Sequence, residues 1–499
     1  MKMITCKQII FIFFAILFVL LSSIRMVSAE FIIIEHEGMD FDDIGVSAVN
    51  NQGEVAGTAT KFIPDSYEPM EVCAFIWSKD EGFRLLSMDT DEKIWTWAND
   101  INENGDIVGD MAKVTQDGEY ESFSGFLYTE DSGMIDLKSL LGGDFSGATG
   151  INDQGQITGW RSTEMGGTAF ILEDGIVRDL GSLGSGGYNE FSGANAINNP
   201  GHIVGSSMTN LFEEHAFKWM EDTEMMDLGT LPDRTESCAE DINDRNEVVG
   251  YSYRYEYFEG DYYAVDLYGF LWNEEEDMID LGALPGCNSS QPTAINNNGD
   301  IAGISMYVDD LGFPVLDEYD FPVRWAAFIY SEDHGMVDFG EMIGVPNIFW
   351  VTDINDHGQV IGMGTDPDSG PFFYSFIWTP EIEAREVRID IRPRSQINWI
   401  NKYGFGLIPV AVFGDSDVNV RDIDLESLRL QEVLKIKTLC FTDIPLVWFM
   451  DLDRDGHKDL IAFFSNGRVF SDGDTSATLT GNLNDGTLIK GTDTILIVP

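Results

Sequence analysis

The chain of 499 residues carries 86 acidic side chains against 29 basic ones, a formal net charge of −57. That balance opposes nucleic acid, anionic lipid and acidic polysaccharide as partners. The length exceeds a single core and predicts one large domain followed by a smaller one.

In chain order, residues 1–29 read as a secretory signal. Lys2 and Lys7 precede a 13-residue apolar run, Ile9 to Leu21, and Val27-Ser28-Ala29 offers small residues for cleavage. The run is too short for a comfortable membrane span, and Cys6 lies ahead of it, so it is not a lipobox cysteine. The expectation is a secreted, extracellular or cell-surface protein with no membrane span in the mature chain.

From Val49 to Gly362 one pattern recurs seven times: an aliphatic residue, Asn, two variable residues, Gly, and four residues later another Gly. The copies are VNNQGEVAG, INENGDIVG, INDQGQITG, INNPGHIVG, INDRNEVVG, INNNGDIAG and INDHGQVIG, with first asparagines at 50, 102, 152, 198, 243, 296 and 355. Only Asn246 replaces the first glycine, and Asn is the residue that next most easily takes left-handed angles. Asn-x-x-Gly suits a reverse turn. Each copy is followed by an aromatic element (AFIW, GFLY, AFIL, AFKW, GFLW, AFIY, SFIW) and, in six cases, by a third such as MIDLKSL or MMDLGTL. These short, apolar, turn-bounded runs predict four strands per unit. A period of 45 to 59 residues falls in the range of propeller blades.

The predicted fold is therefore all-β: a seven-bladed β-propeller over 30–378 and, after a linker at 379–387, a smaller β-sandwich-like domain over 388–499. The last aromatic strand, at 375–378, lacks a following strand, whereas Phe31 to Ile34 lacks a preceding unit. The N-terminal strand is expected to complete the seventh blade and leave no open sheet edge. The motifs AxxINxxGxVVG, HAFLW and MxDLGTLGG resemble those of the bacterial extracellular HAF repeat family, and the literal triplet stands at His215, Ala216 and Phe217. The resemblance covers about residues 31 to 378. It implies secretion and a propeller-like fold, and no established activity.

The region after 387 is strand-rich (VRIDIRP, GLIPVAVFG, LVWFMDLD, DLIAFFS, ATLTGNL, TILIVP) and resembles a C-terminal module of many secreted bacterial proteins. It departs from that module in having Arg392-Pro393-Arg394 where Lys-Pro-Gly is usual. Within it, Asp451-Leu452-Asp453-Arg454-Asp455-Gly456-His457-Lys458-Asp459 carries carboxylates at loop positions 1, 3, 5 and 9, with Gly at 6. Calcium needs six to eight hard oxygen ligands, which such a loop brings together. Asp451, Asp453, Asp455 and Asp459 are the expected ligands, with the backbone carbonyl of His457. Ala462 at position 12 excludes an EF-hand, and the loop resembles those of integrin-type and dockerin-like segments. Without a cation, mutual repulsion of the carboxylates should destabilise it.

Cys73, Cys238, Cys287 and Cys440 show no metal-ligand spacing. Cys238 and Cys287 lie one repeat apart, so they read either as a disulfide between neighbouring blades or as buried thiols. HExxH, GxSxG and GxxxxGK[ST] are all missing from the chain, and the six histidines fall in different repeats or strands.

In an antiparallel blade the connections after strands two and four share one end. Here that set holds the variation: 183–195, 253–268 and 307–325. Tyr253, Tyr255, Tyr257, Tyr262, Tyr263 and Trp325 are expected to emerge there, a composition suited to a neutral glycan or an extracellular protein partner. The competing reading is that the tyrosines alternate along a lengthened hairpin and pack on their own blade. The functional expectation is a monomeric, calcium-dependent binding or adhesion protein. The alternative is an extracellular glycosidase or lyase with carboxylates at the propeller channel.

Overall fold

The computed structural model describes residues 29–498 apart from 36–40, 64–68, 89, 91, 116–119, 164–165, 185–190, 222, 224, 259–260, 310–311, 317–322, 366–372, 381–384, 394, 396, 402–405, 416–417, 426, 432–433, 436–445, 466–469, 471–473 and 484–487. The expected signal segment, but for Ala29, lies outside the described residues, as does Cys440. No described helix is long and apolar enough to cross a membrane. The chain is all-β, its described helices being the short turns Lys138–Leu141 and Phe339–Ile343. It divides into two compact units, Met1–Pro380 and Glu381–Pro499.

The first unit is a propeller-like series of four-stranded antiparallel sheets. The first sheet runs Asp43–Val49, Val55–Phe62, Pro69–Ser78 and Gly82–Leu85, each strand beside the next in sequence. The same order recurs in sheets opening at Ile94, Ser146, Ser192, Glu236 and Ser289. A further sheet joins Ile348–Ile354, Val360–Thr365 and Phe373–Thr379 to the N-terminal strand Glu30–Ile33, with Glu30 opposite Thr379 and Ile33 opposite Phe376.

The repeated sequence acts locally in three ways. In every sheet the pairing of the first two strands slips by one residue just ahead of the Asn, as between Val46 and Ala48 or Ala239 and Asp241. This bulge bends the strand and re-aims its side chains. The turn then closes with the Gly N–H donating to the Asn carbonyl, as from Gly53 to Asn50 at 3.0 Å. The glycine is left-handed there, at φ +75° for Gly53, and Asn246 takes the same conformation at +68°. The second glycine lies against the bulge: a Cβ on Gly57, Gly109, Gly159, Gly205, Gly250, Gly303 or Gly362 would fall 2.0 to 2.5 Å from a carbonyl oxygen of the first strand.

Onto the gap left by that glycine packs the Phe of the aromatic strand. Phe75, Phe126, Phe170, Phe217, Phe270, Phe328 and Phe376 are all fully buried, each worth about 1.5–3 kcal/mol in removed apolar surface. Thus the Asn, the two glycines and the Phe form one packing unit.

The second unit stacks a sheet of Ile389–Ile391, Leu407–Val412, Asp459–Ser465 and Val447–Met450 with one built on Leu488–Thr494 and Ser476–Asn482. Ile391, Val410, Leu430, Leu460, Phe464, Leu479 and Ile489 form its dry core. The expected linker is part of this unit at its end. Arg385 and Glu386 pair in parallel with Ile489 and Lys490, and Val387 joins the core. Cys238 and Cys287 are both free thiols, and burial holds the Cys238 thiol well above its ordinary range.

The contrast between two facing glycines gives a test. Gly205 would set a Cβ 2.1 Å from the Gly193 carbonyl, whereas a Cβ on Gly193 meets nothing within 4 Å. Gly205→Ala should cost about 1–3 kcal/mol by overpacking and lower the melting temperature visibly, while Gly193→Ala should leave it nearly unchanged. Equal melting temperatures for the two variants would contradict the packing assigned to the second glycine.

Candidate functional site

At the end of the sheets carrying the Asn turns, two sets of hydrogen bonds run from sheet to sheet. In the first, each buried Asn donates through Nδ2 to the main-chain carbonyl of the next: Asn50 to Asn102 at 3.2 Å, then on to Asn152, Asn198, Asn243, Asn296 and Asn355, and from Asn355 back to Asn50 at 2.8 Å. In the second, the N–H of the following residue donates to the side-chain oxygen of its counterpart in the next sheet. Asn51 reaches Glu103, and the series passes through Asp153, Asn199, Asp244, Asn297 and Asp356 back to Asn51. Both series close on themselves.

These turns surround a cavity of about 300 Å³ lined by Asp100, Asp241, Asp353, Thr149, Thr293 and Asn195 among others. Carboxylates do face this axis, as an enzyme there would need: Glu240 also lines the cavity, its carboxyl raised to about 7 by burial, whereas Asp100, Asp241 and Asp353 are engaged by the main chain. Asp100 accepts from Ile101 and Ile151, Asp241 from Ile242 and Ile295, and Asp353 from Ile354 and Val49, each at 2.7–2.8 Å. Each therefore ties its own sheet to the next. Burial pushes Asp100 up to about 7, Asp241 to about 6 and Asp353 to about 7, against the pull of those N–H donors.

The opposite end of the sheets holds the expected ligand residues, and they do not form one surface. The segment 253–268 is not an irregular connection but the lengthened hairpin of the competing reading, Val248–Phe258 paired with Asp261–Asn273. Alternating tyrosine with charged residues is a strand pattern, and the sheet extends along it. Tyr253 is buried, 5% exposed, and its hydroxyl donates to Glu214 at 2.9 Å, so it is closed to a ligand. Tyr255 and Tyr257 are exposed where the hairpin projects. Tyr263 sits edge-on to Phe313, in the connection between the second and third strands of the next sheet, at 5.2 Å, and the Tyr262 side chain lies outside the described residues. Trp325 packs against Phe349 at 5.5 Å and Trp350 at 6.2 Å, its indole N–H buried without a partner.

Another aromatic group escaped the sequence reading. Trp97, Phe123 and Trp160 lie half-buried in a row across the second and third sheets, with Trp95 beneath Trp97 and exposed Tyr120 and Phe145 beside them. One signal was available: five residues before the Asn, three repeats carry Gly45, Gly147 and Gly193, where the second carries Trp97. His215 of the HAF triplet joins strands three and four of its sheet through Asp227, at 2.9 Å. That bond raises the imidazole above its ordinary value against the effect of burial.

In the second unit the acidic loop joins two paired strands, Met450 standing opposite Asp459. Carboxylate oxygens of Asp451, Asp453 and Asp459 lie within 4.8 Å of one another. Arg454 at φ +66° and Gly456 at φ +98° turn the chain around them. Asp459 is fully buried and accepts from the N–H groups of Leu452 at 2.6 Å and Gly414 at 3.1 Å. Burial and then the neighbouring acids Asp453 and Asp455 raise it, while those N–H bonds oppose the rise. Asp451 Oδ1 is buried with no hydrogen-bond partner. An orphaned carboxylate oxygen beside two further carboxylates fits a hard cation. Asp455 and His457 stand apart from the three: the Asp455 side chain accepts from the His457 N–H at 2.8 Å, and both residues are exposed. The guanidinium of Arg388 contacts Asp453 and lies over the Phe413 ring at 3.9 Å. It holds the Asp453 carboxyl below its ordinary range.

No protein-family model matches the chain, and no curated protein matches it in sequence. Among solved structures, the dipeptidyl peptidase 4 of Porphyromonas gingivalis is similar over 55% of this chain and 46% of that one, at 9% identity and a TM-score of 0.31. The chain thus spans less than half of that protein, and the likeness is too slight to carry an argument.

The axial carboxylates make stability depend on pH. Their folded values lie above the ordinary 3.8. From about pH 4 to pH 7 the folded state holds protons that the unfolded chain has released, so stability falls as pH rises through that window. Below it the effect is absent. The melting temperature should be higher at pH 5 than at pH 8, and Asp100→Asn with Asp353→Asn should flatten the difference. An unchanged slope in that double variant would assign the pH effect to other acids.

Proposed function

We propose that the chain is a secreted, calcium-dependent binding or adhesion protein. Its repeat unit is a seven-bladed β-propeller closed by the N-terminal strand, and it offers one end of the blades to a neutral glycan or an extracellular protein. The observation that carries this reading is the segregation of the two ends. Asn turns and their hydrogen-bond series occupy one end. Most large apolar side chains left exposed in this unit, such as Tyr120, Phe145, Phe191, Phe212 and Phe373, lie at or beside connections following second and fourth strands, at the other end. Exposed apolar surface gathered in one region marks interaction sites. The second unit supplies the calcium site, with Asp451, Asp453 and Asp459 as side-chain ligands and Asp455 and the His457 carbonyl recruited on binding. Against the enzymatic alternative stands the engagement of Asp100, Asp241 and Asp353 by main-chain N–H groups, which leaves Glu240 as the buried axial acid such an enzyme would use.

A glycan array probed with the whole chain, with calcium and then with chelator, tests the function. Calcium-dependent retention without product formation supports binding; release of shortened sugars would move the assignment to a carbohydrate-active enzyme. For the metal, calcium at one hundred times its dissociation constant should stabilise the folded protein by about 2.7 kcal/mol. Asp451→Asn should remove most of the accompanying rise in melting temperature. A wild-type chain whose unfolding is indifferent to calcium would leave the loop a structural turn.

A further inference from the structure

Within the binding end, the three half-buried rings of the second and third sheets differ from the other aromatic groups. Trp97 and Phe123 have centroids 6.2 Å apart and planes inclined by 31°; Phe123 and Trp160 are 6.3 Å apart and inclined by 23°. One pair is tilted and the other stacked, and at that spacing neither pair is in close face-to-face contact. On the long hairpin Tyr253 meets Tyr255 edge to face at 83°, while Tyr251 and Tyr253 are tilted by 41°. The row is backed rather than free to collapse. Trp95, 3% exposed, supports Trp97 from below, and the edge of Tyr120 meets Trp95 at 5.9 Å. At the flanks Tyr120 is 58% and Phe145 53% exposed.

The polar groups around the row are hydrogen-bonding and mostly acidic. Asp110 lies between Trp97 and Trp160: it pairs across strands with Trp97, and its Oδ1 and the Trp160 indole nitrogen come within 2.6 and 2.7 Å of the position a Cβ on Gly147 would occupy. Asn99 donates to its other oxygen at 3.2 Å, whereas Oδ1 makes no well-aligned hydrogen bond. Burial pushes this carboxyl up to about 6. Beside Tyr120, Lys113 is engaged by Glu92 and Glu121, at 2.7 and 3.4 Å.

We propose that the row Trp97, Phe123 and Trp160, with exposed Tyr120 and Phe145 at its flanks, is the ligand platform of the binding end, and that its ligand is a neutral oligosaccharide. This rests on the binding reading above and places its site away from the tyrosine hairpin. Flat, separated ring faces stack on the C–H faces of pyranose rings, while carboxylates and amides at their edges receive hydroxyl donors. The acidic surroundings turn away sulfated and uronic polymers.

The test uses the whole chain and soluble hexasaccharides of glucose, xylose, mannose and N-acetylglucosamine, read by tryptophan fluorescence and affinity electrophoresis. At least one neutral series should bind and change the emission. Trp97→Ala and Trp160→Ala should each weaken that binding by about tenfold or more, with melting temperature as the check on folding. Trp160→Phe, which keeps a ring in the row, should retain most of the affinity even if the alanine variant folds poorly. Tyr255→Ala and Tyr257→Ala should leave it unchanged. Loss of binding in the tyrosine variants alone would overturn the platform yet keep the binding reading. Binding of none of the four series, with a protein partner captured through the same tryptophans, would overturn the carbohydrate assignment; sugar binding untouched by either set would overturn the placement of the site at this end.

Discussion

The first unit depends on one side-chain amide used the same way seven times. Each repeat Asn spends its Oδ1 within its own turn, accepting from the N–H four residues on, as Glu54 donates to Asn50 at 3.0 Å and Gln359 to Asn355 at 2.9 Å. Its Nδ2 reaches the carbonyl of the next Asn. The amide thus fixes the turn and the spacing between sheets together. All seven asparagines are buried, where an amide bond contributes about 0.5–1.5 kcal/mol net and an abandoned partner costs about 1–3 kcal/mol. Aspartate would supply the acceptor but not the donor, so the amide is required at this position. One residue on, only an acceptor is needed. Asn, Glu and Asp alternate freely there, at 51, 103, 153, 199, 244, 297 and 356.

Those local requirements explain what could be read without the structure. A turn needing Asn and a left-handed residue, with a second glycine four residues on, leaves marks at fixed spacing, and the buried Phe that crosses that glycine follows in every repeat, so the all-β class and the four-stranded repeat were legible. The tyrosine-rich segment was misleading for an equally local reason. YRYEYF and DYYAVDLY alternate as strands do, yet their many tyrosines and charges also suit a surface loop, and the bond from Tyr253 to Glu214 spans 39 residues. The row from Trp97 to Trp160 likewise joins separate repeats. Unlike the Asn bonds, these aromatic contacts between repeats have no periodicity of their own to betray them.

The net charge of −57 places a further demand on this architecture. Axial carboxylates would ordinarily weaken a crowded centre, but Asp100, Asp241 and Asp353 sit in different sheets and each accepts two main-chain N–H groups. Uncharged Thr149, Asn195 and Thr293 bridge at other junctions, donating to carbonyls of the following sheet at 2.8–3.1 Å. The junction between the last and first sheets has the Asp353 bond to Val49 in addition to the Asn355 bond to Asn50. The closure of the series is therefore held at two successive levels, with hydrogen bonds that span more than 300 residues and owe nothing to local folding.

The acidic loop of the second unit solves the same problem with a cation from the chain itself. Repulsion among Asp451, Asp453, Asp455 and Asp459 makes an unaided loop costly, and the loop sequence alone offers only Arg454 and Lys458 as relief. Folding supplies Arg388 instead, 65 residues away, anchored over Phe413 and set against Asp453. The loop can accordingly take its turned shape before any metal arrives, with Asp459 already fixed by two N–H donors. A divalent ion entering beside the orphaned oxygen of Asp451 must then share or displace that guanidinium. Such competition would lower the affinity of Asp451, Asp453 and Asp459 for a hard cation.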